Sequence, residues 1–141
     1  LDAHGDLNTP ETSPSGNEWG MPLRMLLDRG TLAAADVVLW RARNLDPPEE
    51  EFIAAAGIED DPDALLARAD AIYVALDCDV FDPDEVAVFM PEPGGPSLAE
   101  VEQLLARVRD SGKLVGVGFT GLAPDPANVE KLGRLTAALG Y

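Results

Sequence analysis

The sequence predicts an α/β fold of three layers, with a parallel sheet covered on both faces by helices. Three observations carry this. Short apolar runs at residues 37–40, 71–76 and 114–119 have the length of buried strands. Segments with helical spacing alternate with them, and Gly and Pro fall between. An order of strand, helix, strand, helix implies parallel strands joined by helical crossovers.

The elements follow in chain order. Asp2, His4 and Asp6 open the chain with the period of an extended strand end. Residues 7–17 are turn formers and predict a loop. Trp19, Leu23, Met25, Leu26 and Leu27 predict one helix over 17–29, ended near Gly30. The 37–40 run is read as a buried strand. Pro47 and Pro48 start a helix whose first turn is acidic, which suits the positive end of the helix dipole, and Gly57 stops it. Residues 61–69 form another short helix. The 71–76 run is the clearest strand.

Residues 82–96 hold Pro83, Pro91, Pro93, Pro96 and Gly94-Gly95, a long constrained loop. Ser97 with Glu100 three residues later is a capping box. Behind it Val101, Leu104, Leu105 and Val108 keep helical spacing. The strand at 114–119 and a helix over 128–139, ended by Gly140, complete the chain.

Composition narrows the function. The formal net charge of -16 argues against nucleic acid or anionic lipid as a partner. No apolar run approaches the roughly 18 residues of a membrane span. A single cysteine, Cys78, excludes an internal disulfide and fits a reducing cytoplasm. No secretory leader is recognisable. The opening Leu1-Asp2, without Met or a polar lead-in, is expected of a fragment incomplete at its N-terminus.

The chemistry lies in two acidic groups. Asp2, His4 and Asp6 stand at i, i+2 and i+4, and Asp77 and Asp79 follow the best strand. Both groups then fall at C-terminal strand ends, where open α/β sheets bind ligands. Unpaired buried carboxylates are costly, so such a cluster needs cations. Four carboxylates and one imidazole are a hard donor set, suited to Mn²⁺ rather than to the thiolate sites of structural zinc. Either group alone has other readings: a solvated loop end, or an acidic Mg²⁺ phosphotransfer site on Asp77 and Asp79. Cys78, between the two acids, is read as a packing residue facing away. Arg24, Arg41 and Arg43 are read as surface ion-pair partners, with substrate contact as the other reading.

Three stretches together resemble the arginase–agmatinase–formiminoglutamase family, the ureohydrolases. They are Asp2-Ala3-His4-Gly5-Asp6-Leu7-Asn8-Thr9-Pro10, Ser15-Gly16-Asn17-Glu18-Trp19-Gly20, and Asp77-Cys78-Asp79-Val80-Phe81-Asp82-Pro83. Gly94-Gly95-Pro96-Ser97 is similar to the Gly-Gly-Leu-Thr that follows in the family. The resemblance implies a small-molecule substrate and a hydrolase of C–N bonds in guanidino, amidino or formimino compounds. It implies two Mn²⁺ ions per complete site, bridged by Asp2 and Asp77, with His4 and Asp79 completing one and Asp6 the other. The second ion would also take a His from an earlier strand, which this chain lacks. A hydroxide bridging ions ~3.5–4 Å apart attacks the trigonal carbon, and Asp6 carries its proton. A homo-oligomer, trimer or hexamer, is implied too.

For the substrate, Ser15 and Asn17 match positions touching the amino-acid end in arginases. Asp46 is similar to the acid meeting the substrate's amino group, and is read equally as a helix cap before Pro47. Two departures limit the resemblance. Trp19 stands where arginases have a proton-shuttling His, and Gly121 stands where they have a Glu that pairs with guanidinium. The family carries over, then, while the arginine substrate does not. A non-catalytic relative with a structural or regulatory role is the alternative.

Overall fold

The computed structural model describes residues 1–141. The two β-rich runs become strands β1 (Ile72–Asp77) and β2 (Leu114–Thr120), paired in parallel. Their register sets Val74 beside Val117, Leu76 beside Phe119 and Asp77 beside Thr120. The last pair brings an acid and a hydroxyl together at the C-terminal strand ends.

Alternation along β1 buries Ile72, Val74 and Leu76 on one face. Two helices cover that face. Helix α4 (Leu98–Asp110) contributes Val101, Leu104, Leu105 and Val108, and α5 (Ala127–Leu139) contributes Leu135 and Leu139. Ser97 caps α4 through the reciprocal box with Glu100. The opposite face carries Tyr73 and Val115 in the open, so these residues cover one side of the two-stranded sheet rather than both. A smaller apolar cluster of Leu7, Val37 and Ile58 lies beside α1 (Pro22–Asp28) and α2 (Pro47–Ala56). Helix α3 (Pro62–Arg68) is capped by Asp61, which accepts from Asp63 N–H.

Three expected elements differ. Residues 37–40 form no strand; Val38 makes one isolated bridge with Glu59, and Arg41 turns left-handed at φ 70°. A strand needs a partner backbone along its length, and this run meets only Glu59, whose carbonyl accepts from Leu39 N–H at 2.9 Å. Residues 2–6 are not extended either. They bend at Ala3–His4, and Asp6 is left-handed at φ 54°. The expected 17–29 helix is split into a 3₁₀ turn (Glu18–Gly20) and α1, because Pro22 can only start a helix, not continue one.

The long 82–96 loop has neither helix nor strand and is held by contacts along its length. The buried Asn128 side chain accepts from Ala87 N–H and donates to the Ala87 and Ala123 carbonyls. At Gly95 the loop lies against residues 80–82 so closely that a Cβ would overlap the Val80 carbonyl oxygen. Gly95→Ala therefore has to push the loop off the turn that carries Asp79. A loss of about 1–3 kcal/mol is expected, read as a lower urea midpoint; an unchanged midpoint would show the loop free to move.

Candidate metal centre

Asp77 closes β1 and caps the 3₁₀ turn Cys78–Val80 that carries Asp79. Its carboxylate is held from two sides: Oδ1 accepts from Asp79 N–H at 3.1 Å and Oδ2 from Thr120 Oγ1 at 2.8 Å. Cys78 turns into the core, fully buried, where burial pushes its thiol up to about 12. It packs, as expected, and is no ligand to the site.

The 1–8 segment is threaded past this turn by hydrogen bonds that leave its carboxylates facing Asp79. Ala3 N–H donates to Asp79 Oδ1 at 3.1 Å, while the Ala3 carbonyl accepts from the N–H groups of Arg43 and Asn44. Leu7 N–H donates to Oε1 of the buried Glu49 at 2.8 Å. One ligand atom from each of Asp2, His4 and Asp79 thus falls within 4.8 Å of the others. His4 Nδ1 lies 3.0 Å from Asp79 Oδ2 and 3.5 Å from Asp2 Oδ1. Asp6 and Asp77 stand outside that tight group but line the same cavity.

The electrostatics are those of a crowded anionic site. Burial holds the Asp2 carboxyl above its usual range. Burial, then the charges of Asp2 and Asp77, push Asp6 up to about 7. Burial also opposes ionisation of Asp79, but hydrogen bonds from His4 and Ala3 N–H outweigh it and hold that group low. Hydrogen bonds to Asp2 and Asp79 push His4 up to about 10. A positive charge is thus strongly favoured at this point, and oxygen and imidazole donors are those that hard or borderline divalent ions take. The residues fit a metal.

The cavity measures about 1480 Å³ and runs from the acids along the open sheet face by Tyr73 and Val115. Ser15, Asn17 and Asp46 line it. Each also has a local task. Ser15 Oγ accepts from Asn17 N–H, and Asn17 Oδ1 caps the 18–20 turn through Trp19 N–H. Asp46 is the N-cap residue of α2; its N–H donates to Glu49 Oε2 and its Oδ2 accepts from Asn8 Nδ2. Trp19 stands 74% exposed at the cavity. At Gly121, φ is +75° and a Cβ would overlap Asp77 Oδ1, so no side chain fits there in this geometry.

Sequence reasoning misplaced Arg43 among the surface ion pairs. Arg24 pairs with Asp28 and Arg41 with Glu100, as surface ion pairs. Arg43 instead donates to five carbonyl oxygens, of Arg41, Asp79, Val80, Glu92 and Pro93. It also missed Thr120, Glu49, Asn44 and Glu92. Only Glu49 left a signal, its place three residues into a helix behind an acidic cap.

Comparison with known proteins places the chain in a family. The model of the arginase family matches residues 1–141. The arginase of Bacillus subtilis strain 168 is 32% identical over 98% of this chain and 56% of its own. That of Brevibacillus brevis is 32% identical over 99% of this chain and 57% of its own. The chain spans about half the length of the curated relatives it matches. Among solved structures, the arginase from Bacillus caldovelox superposes with a TM-score of 0.92 at 28% identity, over 98% of this chain and 57% of that one. Proclavaminate amidino hydrolase from Streptomyces clavuligerus gives 0.77 at 24% identity, over 98% and 52% of the two chains, a likeness of fold alone. The predicted α/β architecture is that of these structures; in this chain two parallel strands carry α4 and α5 on one face. Matched along its whole length, the chain belongs to the arginase family.

Proposed function

We propose that the chain carries the acidic ligand set of a dinuclear Mn²⁺ hydrolase. The bond cleaved is a C–N bond of a guanidino, amidino or formimino substrate. The convergence of Asp2, His4 and Asp79, with Asp6 and Asp77 beside them in one cavity, is the observation that supports it. Asp2, His4 and Asp79 would hold one cation. Asp6 would serve a second, with Asp2 and Asp77 shared. Such a pair supplies Lewis acidity toward a trigonal carbon and lowers the pKa of a water to about 7.

The chain's own residues do the rest. Asp77, tethered by Thr120 and Asp79 N–H, keeps its carboxylate at the strand end. The Asp6 carboxylate accepts a proton from water and returns it to the departing nitrogen. Ser15, Asn17 and Asp46 meet the far end of the substrate across the cavity. Gly121 offers no carboxylate to a guanidinium, which favours a substrate other than arginine. The same Gly121 and the exposed Trp19 are what a non-catalytic relative would show. The proposal includes a homo-oligomer in the cytoplasm; no helix is long and apolar enough to cross a membrane.

Metal binding should be visible without turnover. Mn²⁺ at 100 times its Kd should raise stability by about 2.7 kcal/mol, and Asp79→Asn should abolish that gain in a thermal melt. The cation competes with the proton on His4 Nδ1, so binding at pH 7–8 should release protons, and affinity should climb as pH rises toward 10. Without metal the sign reverses. Held up to about 10 when folded, against about 6.5 for a free imidazole, His4 contributes stability that is full below pH 6.5 and fades as pH rises through 10. An apparent Mn²⁺ affinity independent of pH would overturn His4 as a ligand.

The decisive test of activity is release of urea, ammonia or formamide from a panel of guanidino, amidino and formimino compounds with Mn²⁺ added. Activity on one class is expected, falling roughly 100- to 10,000-fold in Asp6→Asn. Mn²⁺ binding with no product from any compound would favour the non-catalytic relative.

A further inference from the structure

His4 is the chain's only histidine, and its two ring nitrogens meet different surroundings. Nδ1 faces Asp2 and Asp79, the cluster already described. Nε2 faces the other way, toward the 82–96 loop. There it lies 3.6 Å from Glu92 Oε1 and 3.4 Å from Asn44 Nδ2. Asn44 Nδ2 donates to that same Glu92 oxygen at 2.8 Å. The carboxylate is therefore held beside the ring by a neutral donor, not by a competing cation.

The backbone fixes both partners independently of their side chains. The Glu92 carbonyl accepts from Arg43 at 2.6 Å, and the same guanidinium nitrogen donates to the Asp79 carbonyl at 3.1 Å. The N–H groups of Arg43 and Asn44 both donate to the carbonyl of Ala3, one residue before His4. One dipeptide thus ties the His4 backbone, the Asp79 turn and the Glu92 loop to a common point.

A metal-ligating histidine that binds through one nitrogen needs its other N–H engaged, because that partner fixes the tautomer and the ring plane. We propose that Glu92, oriented by Asn44, accepts the His4 Nε2–H and so aims Nδ1 at the metal. The 3.6 Å separation exceeds a direct hydrogen bond, so the Glu92 carboxylate has to move toward the ring to accept from it. Glu92 and Asn44 are positioning residues, since neither touches the ion or the substrate. The inference rests on the reading of His4 as a metal ligand.

The test is Mn²⁺ titration of the purified protein by calorimetry, with Glu92→Gln, Asn44→Ala and the double variant. Glu92→Gln is nearly isosteric and keeps the backbone contact to Arg43, so it should fold. Loss of an outer partner typically weakens metal affinity by about 10- to 100-fold. Each single variant is expected within that range. The double variant should be no weaker than the weaker single, because both act through one contact. Glu92→Asp should recover part of the loss.

A tautomer readout separates positioning from general destabilisation. In protein labelled with ¹⁵N-histidine and loaded with diamagnetic Zn²⁺, His4 should show a protonated Nε2 and a metal-bound Nδ1. In Glu92→Gln the Nε2 proton should exchange faster with water. Wild-type affinity retained in Glu92→Gln, or additive losses in the double variant, would overturn the proposal. Failure of the wild type to bind Mn²⁺ or Zn²⁺ would instead overturn the metal reading beneath it.

Discussion

Mutual repulsion among carboxylates gathered at the end of two parallel strands is the constraint that the rest of the site answers. Asp2, Asp6, Asp77 and Asp79 are brought into one cavity, and the charges of Asp2 and Asp77 both act on Asp6. Left to themselves they would swing apart into solvent. Three of them are held by donors: Ala3 N–H and the His4 side chain on Asp79, Asp79 N–H and Thr120 on Asp77, and His4 N–H on Asp2. The nearby arginine behaves consistently with this. Arg43 spends its donors on backbone carbonyls. Had its guanidinium paired with the acids, it would have neutralised part of the charge they carry.

Stability and chemistry are separated in space. The core under α4 and α5 needs only apolar side chains at the right period, and β1 and β2 stand on it as a rigid base. The clustered acids sit at the strand end and on the segments beyond it, where most of the backbone is unconstrained by a ladder. Those turns are fixed instead by side chain to backbone bonds from Glu49, Asn128 and Arg43. The price is irregular backbone, seen in the left-handed Asp6 and in the close seat of Gly95.

This division explains what could be read in advance. β1, β2, α2, α4 and α5 were legible because periodicity and caps are local properties of the chain. Convergence of Asp2 and His4 on Asp79 was legible as a pattern, although the reason offered, alternation along a strand, is not how the chain achieves it. The 37–40 run failed as a strand because pairing depends on a partner that local sequence does not encode. Arg43 was misplaced for a similar reason. Its partners are carbonyls, identical in every residue, so the sequence around it bears no complementary mark.

Gly121 and Asp77 illustrate how such a site constrains its own history. A side chain at 121 would occupy the volume of the Asp77 carboxylate, so a replacement there has to displace Asp77 or reroute the loop. A lineage with this loop geometry cannot acquire an acid at 121 by a single replacement without first disturbing a strand-end carboxylate. Preference for a cationic substrate group would have to arise elsewhere around the cavity, or await a rerouted loop. The backbone path around the cavity decides which positions can carry a side chain at all.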